Sequence, residues 1–172
     1  MRGADKVFTW KQADKKRREW QAGGNEVVFT NGCFDLLHSG HVALLEKARA
    51  LGDKLIVAIN SDESVSRIKG PQRPVRNQNE RAEILGGLKC VDAVVVFDQD
   101  DPLEIITLLE PDVLVKGGDW KPENIIGADV VVGRGKRVEV INLEEGKSTT
   151  GLIEKMRKSK AGSKSEYKPK YK

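Results

Sequence analysis

Cysteine is almost missing from this chain: Cys33 and Cys90 are the only two among 172 residues. That number and spacing supply neither a disulfide framework nor a zinc site, so both read as reduced thiols. Histidine is as scarce, with only His38 and His41. Two imidazoles with no third His or Cys ligand nearby do not make a closed metal site, so no protein-held metal is expected. Long hydrophobic runs are also lacking. The longest, such as Val94-Val95-Val96-Phe97, are strand-sized and far below the roughly 20 apolar residues needed to cross a bilayer. The N-terminus is charged and reaches Lys15-Lys16-Arg17-Arg18 without an apolar segment, so no secretory signal is legible and the expected compartment is the cytoplasm. A Gly-x-Gly-x-x-Gly run after the first strand-like segment is absent, which excludes a dinucleotide-binding oxidoreductase.

What is present is a high share of charge, 33% of residues, with a pI near 9.0. The basic excess is local. Residues 155–172 hold eight Lys or Arg against one Glu, a net +7, which against the whole-chain +4 leaves the rest at −3. The basicity therefore reads as a solvated tail, and no nucleic-acid partner is expected.

Along the chain, Thr9 and Gln12 have capping-box spacing ahead of a polar run with Trp10, Ala13 and Trp20 as anchors, predicting a helix that ends near Gly23-Gly24. Residues 1–25 are read as a helical extension, 26–158 as the main domain, and 159–172 as a disordered basic tail. Val27 to Thr30 is a buried strand, Val42 to Leu51 a helix stopped by Gly52, and Leu55 to Ile59 a second strand. Strand, helix and strand within about 35 residues form one parallel βαβ crossover. The alternation continues with a helix from Asn77 to Leu88, strand Ala93 to Phe97, helix Pro102 to Leu109 and strand Val113 to Val115. Ala128 to Val132 fits either helix or strand, Arg137 to Leu143 alternates like a strand, and Ser148 is placed to cap a last helix. The expected class is α/β, with three layers around a mostly parallel sheet.

Chemistry concentrates in Gly32-Cys33-Phe34-Asp35-Leu36-Leu37-His38-Ser39-Gly40-His41, between the first strand and its helix. Open α/β sheets bind ligands there, where the N–H groups and positive dipole end of the helix suit a phosphate. Gly40 allows close backbone approach, and His38 and His41, three apart, can face one phosphoryl group from the same side.

These residues resemble the signature of the cytidylyltransferase-like nucleotidyltransferase superfamily, of general form G-x-F-D-x-x-H-x-G-H. Asn60-Ser61-Asp62, Arg67-Ile68-Lys69-Gly70, Arg73-Pro74-Val75, Arg81, Val115-Lys116-Gly117-Gly118-Asp119-Trp120 and Glu145-Gly146-Lys147-Ser148-Thr149-Thr150 are similar to its D-glycero-β-D-manno-heptose 1-phosphate adenylyltransferase branch. The resemblance runs from about residue 8 to residue 157. It implies a Rossmann-like domain of the H-x-G-H type, transfer of AMP from ATP to heptose 1-phosphate for lipopolysaccharide inner core, Mg²⁺ carried with ATP, and a homo-oligomer. A cytidylyltransferase acting on glycerol 3-phosphate or another small phosphate ester is the other reading. Against it, Leu143-Glu144-Glu145 stands where glycerol-phosphate enzymes carry an arginine, and Lys147 is a candidate replacement cation.

The nucleophile in such a transfer is a phosphate oxygen, ionised at neutral pH because its second pKa is about 6, so no general base is required. Donors and cations are what the site must supply. The resemblance implies that His38 and His41 donate to the α-phosphoryl oxygens and that Lys69 and Arg81 neutralise the incoming and leaving groups. Ser148, Thr149 and Thr150 hold the outer phosphates, with Asn31, Gly32, Cys33, Phe34 and Gly40 around the nucleotide. Lys116, Gly117, Gly118 and Asp119 are expected at the base, the glycines letting the backbone read an adenine edge. Asp35, Asp62, Arg76 and Trp120 are expected on the sugar-phosphate side, with capping as the other reading of Asp62. Asp35, Asp62 and Asp119 are available to the magnesium. Cys33 reads as a small buried thiol, not a nucleophile.

Overall fold

A computed structural model describes residues 2–142. Ser148, Thr149, Thr150, Lys147, the last helix and the basic tail lie outside the described residues.

The elements are β1 (Val7–Phe8), α1 (Trp10–Ala22), β2 (Val27–Gly32), α2 (Ser39–Arg49), β3 (Lys54–Asn60), α3 (Asp62–Lys69), α4 (Gln78–Gly86), β4 (Ala93–Phe97), α5 (Leu103–Leu109), β5 (Val113–Gly117), α6 (Ala128–Gly133) and β6 (Arg137–Ile141). The six strands form one sheet in the order β1-β4-β3-β2-β5-β6, and every pairing is parallel. Alternate residues of the strands face opposite layers, as a twofold side-chain period demands. Val27, Phe29, Ile56 and Val95 pack with Ala13, Ile106, Leu109 and Val131 of α1, α5 and α6. Val28, Leu55, Val57 and Val94 pack with Leu45, Ala48, Ala82 and Leu85 of α2 and α4. Both faces are covered, so the strands read as nearly continuous apolar runs.

The helix starts follow their caps. Thr9 accepts from the N–H of Gln12, whose side chain returns to the Thr9 backbone, and Asn77 Oδ1 accepts from the N–H of Glu80 at 3.0 Å. Residues 2–25 pack into the main domain. Val7 and Phe8 pair with Val94 and Val95, Ala13 is fully buried in the core, and the Trp10 indole donates to the Val96 carbonyl at 2.7 Å. The undecided run at Ala128 is a helix, started by Gly127 at φ 85, where an added Cβ would meet the Ile106 side chain at 2.8 Å.

Two buried or half-buried carboxylates clamp the lower rim, where the parallel strands begin. Asp112 accepts from the N–H of Val27, from Gln21 and from Lys136. Asp92 accepts from the N–H of Leu55 and from Arg49, with Lys54 nearby.

β2 lies between β3 and β5, because the chain adds β3 and β4 on one side and then returns to place β5 on the other. The crevice beyond the carboxyl ends of β2 and β5 is the point where strand order reverses, and there ligands bind in such sheets.

Candidate active site

The loop from β2 to α2 is tightly drawn. Phe34 has φ 45, a left-handed conformation uncommon for a residue with a side chain, and a Cβ on Gly32 would sit 3.0 Å from the Phe34 ring. The ring is buried and its centroid lies 5.2 Å from that of His41.

His38 caps α2: its Nδ1 accepts from the N–H of Gly40 at 3.2 Å. His41 Nδ1 accepts from the N–H of His38 at 3.4 Å, and the two rings stack with centroids 3.8 Å apart. A nitrogen that accepts a backbone proton carries none of its own, so each neutral ring holds its proton on Nε2. Burial, reinforced by the neighbouring His38, pushes the His41 pKa down to about 4. The pair thus presents Nε2–H donors at the positive end of an eleven-residue helix.

A measurable consequence follows. In an NMR titration the His41 ring should stay neutral as pH falls from 8 to about 5. Because the unfolded chain, with a His pKa of about 6.5, binds the proton more readily, acidification from there toward pH 4 should lower stability. A His41 midpoint near 6.5 in the folded protein would contradict this geometry.

A cleft of about 510 Å³ opens over this end of the sheet. It brings together Asn31 and Gly32 from β2, Cys33, Phe34, His41, Lys69 at the end of α3, Lys116 from β5, and Trp120. Lys69 is exposed and Trp120 is 46% exposed. Gly117 ends β5, Gly118 turns at φ 116 with Trp120 Nε1 beside it, and Asp119 is exposed. Lys116 Nζ donates to Asn31 Oδ1 at 3.3 Å across the crevice, and burial holds its pKa below the usual lysine value despite the opposing pull of Cys33. Burial likewise raises the Cys33 thiol, and the nearby Lys69, Arg81 and Arg73 do not overcome it. Cys33 is therefore a protonated thiol with no nucleophilic assignment.

Three residues expected to meet substrate hold partners within the protein. The Arg81 side chain is 0% exposed and spends its donors on the Cys33 carbonyl at 2.6 Å, the Arg76 carbonyl at 3.1 Å and Asp62 at 2.8 Å. These bonds brace the β2–α2 loop. Asp62 is the first residue of α3, whose cap is Ser61, so Asp62 serves as the partner of Arg81. Asp35 is 2% exposed and accepts from the N–H groups of Val75 and Arg76 and from Arg73 Nε at 2.5 Å. Its burial favours the neutral acid, but those donors outweigh burial and hold the carboxyl below its ordinary pKa. Asp35 ties residues 73–76 to the β2–α2 loop and also lines the cleft. Arg76 is exposed and lines a neighbouring hollow with Phe34 and Ile84.

Sequence reasoning named Asn60 and Arg73 only within motifs, without a role, and passed over the Asp100-Asp101-Pro102 rim; all of these line the cleft. Asn60 was reachable, since it ends β3 at the ligand-binding edge. Nothing local marks the others.

A cytidylyltransferase-like family model matches residues 29–155, most of the chain. The chain belongs to the cytidylyltransferase-like family. The "Bifunctional protein HldE" of Syntrophotalea carbinolica is 59% identical over 133 residues, covering 77% of this chain and 27% of that protein. The protein of the same name from Magnetococcus marinus is 48% identical over 153 residues, covering 89% and 31%. The chain thus spans under a third of the length of these curated relatives. Among solved structures, the lipopolysaccharide core biosynthesis protein of Thermoplasma volcanium aligns with a TM-score of 0.57 and 27% identity, over 72% of this chain and all of that one. Pantoate-beta-alanine ligase of Francisella tularensis, solved with beta-gamma ATP and beta-alanine, aligns with a TM-score of 0.58 over 81% of this chain and 67% of that one, at 14% identity, and shares the fold.

Proposed function

We propose that this domain transfers AMP from ATP to D-glycero-β-D-manno-heptose 1-phosphate, giving ADP-heptose and pyrophosphate for lipopolysaccharide inner-core synthesis. The observation that carries the reading is the stacked His38–His41 pair, its donors preset at the helix end where strand order reverses. The heptose assignment is supported by the motif set read in the sequence and by the names of the relatives.

The attacking group is the sugar-phosphate dianion, and the obstacle is bringing it to a polyanionic nucleotide. The imidazole Nε2–H groups donate to the α-phosphoryl oxygens as charge builds on them, and the N-terminus of α2 adds its dipole. Lys69 neutralises charge on the approaching or departing group. The glycine turn at 117–118, with Asp119, reads the base, and Trp120 covers the sugar side. The Ser148, Thr149 and Thr150 hydroxyls hold the outer phosphates. Arg81, Asp62 and Asp35 act by holding the loops that present these groups.

Among the described residues no three His, Cys, Asp or Glu side chains converge to hold a metal ion. Magnesium is assigned to the nucleotide's own phosphates and water, because Mg²⁺ keeps several waters and takes few protein ligands. No helix among the described residues is long and apolar enough to cross a membrane. The active unit is proposed to be a homo-oligomer.

The reading is tested by pyrophosphate release with ATP or CTP against heptose 1-phosphate or glycerol 3-phosphate. ATP with heptose 1-phosphate should give the highest kcat/KM. A preference for CTP would replace the substrate assignment and leave the histidine chemistry in place.

A further inference from the structure

Lys116 carries a charge that the mechanism above does not use. It stands near the carboxyl end of β5, on the opposite side of the crevice from the β2–α2 loop. An ammonium has three donors, and the contacts given to this one are the Asn31 amide oxygen at 3.3 Å and the Trp120 ring, its centroid 5.6 Å away. Among the described residues no carboxylate pairs with it.

Three nearby arginines differ. Arg73 is neutralised by Asp35, Arg81 by Asp62, and Arg67 by Asp98 and Asp100. Of the cleft carboxylates, Asp35 and Asp100 are spoken for, and Asp101 accepts from the N–H of Leu103 at 2.9 Å. An amide dipole and a ring face compensate a desolvated ammonium poorly, whereas an anion does so fully. Burial also lowers the Lys116 pKa, and a bound anion would oppose that shift.

We propose that the Lys116 ammonium is a phosphate-binding cation of the cleft, gripping an anionic oxygen of one reacting phosphate from the β5 side while the histidine pair approaches from the β2 side. This extends the adenine-edge role proposed for residues 116–118 from their backbone to a side chain. It rests on the nucleotidyltransferase reading of the cleft. The phosphate belongs either to the nucleotide or to the sugar ester, and the experiment separates the two.

Lys116→Met keeps the length and apolar stem and removes the charge, and Lys116→Arg keeps the charge. The KM values for ATP and for heptose 1-phosphate are measured separately, with kcat, and pyrophosphate and heptose 1-phosphate are titrated calorimetrically into each protein. The methionine variant should raise one KM by about 10- to 100-fold, weaken the matching titration, change kcat less, and be largely rescued by arginine. Movement of the ATP value and of pyrophosphate affinity assigns the nucleotide, and movement of the sugar values assigns the ester. Unchanged KM values and affinities overturn the proposal, whether accompanied by a lower melting temperature, a fall in kcat, or neither. If the wild type fails to turn over heptose 1-phosphate, that substrate assignment falls, while pyrophosphate binding still judges Lys116. A wild type that is inactive and binds no pyrophosphate overturns both.

Discussion

Replacing either His38 or His41 by alanine should leave a folded protein that has lost on the order of 10²–10³ in turnover, the usual cost of deleting one preorganised donor to a developing oxyanion. The expectation of a retained fold comes from placement: both rings are half-buried at the start of α2, outside the two cores that cement the sheet. Because each Nδ1 accepts from backbone, the loss should fall on kcat more than on KM for either substrate. Circular dichroism and thermal melting separate folding from chemistry. Turnover within a few-fold of wild type in either variant would remove the histidines from the mechanism.

The second large effect is expected at Arg81. Arg81→Met keeps the bulk of the side chain but leaves the Cys33 and Arg76 carbonyls without their donor and Asp62 without its cation. Unsatisfied buried acceptors cost about 1–3 kcal/mol each, and a broken buried pair costs about 3–5 kcal/mol. Both carbonyls are only part-buried and Asp62 is 38% exposed, so each loss is taken at about 1 kcal/mol, a total near 3 kcal/mol read as a lower urea midpoint at unchanged m. Turnover should fall about tenfold or more under conditions where the variant is still folded, because the arginine sets the height of the loop that carries His38. Lysine should not rescue, since one ammonium cannot replace a planar fork reaching three acceptors. A variant as stable and active as wild type would show that the brace is unnecessary.

The contrast between these two positions explains what the sequence could and could not reveal. The histidines were legible because their spacing, their place after the first strand and the adjoining glycine all concern neighbours in the chain. Local signals also located α1 and α4 through Thr9 and Asn77, and β4 to the residue. The protein partners of Arg81 and Asp35 were not legible because a charged residue near a motif looks the same whether it meets a ligand or a distant carbonyl. Their partners lie 19 to 48 residues away, at Asp62, Cys33, Val75 and Arg76, apart from the carbonyl of Arg76 itself, which Arg81 also meets. β1 went unread for the same reason: two residues become a strand only by pairing with Val94 and Val95. β2 and β5 run two residues further than their apolar runs, to Gly32 and Gly117, because Ile59 and Ile141 continue the ladders beside them. α3 is short and polar, and its Ser61 cap was read only as part of a motif.

The two carboxylate clamps at Asp92 and Asp112 lie at the amino ends of the strands, a full strand length from the histidines. Foundations and chemistry are thus kept on opposite rims. Substitutions in the upper loops can retune which substrate is held without loosening the scaffold's footing, so the architecture lends itself to evolutionary diversification of specificity.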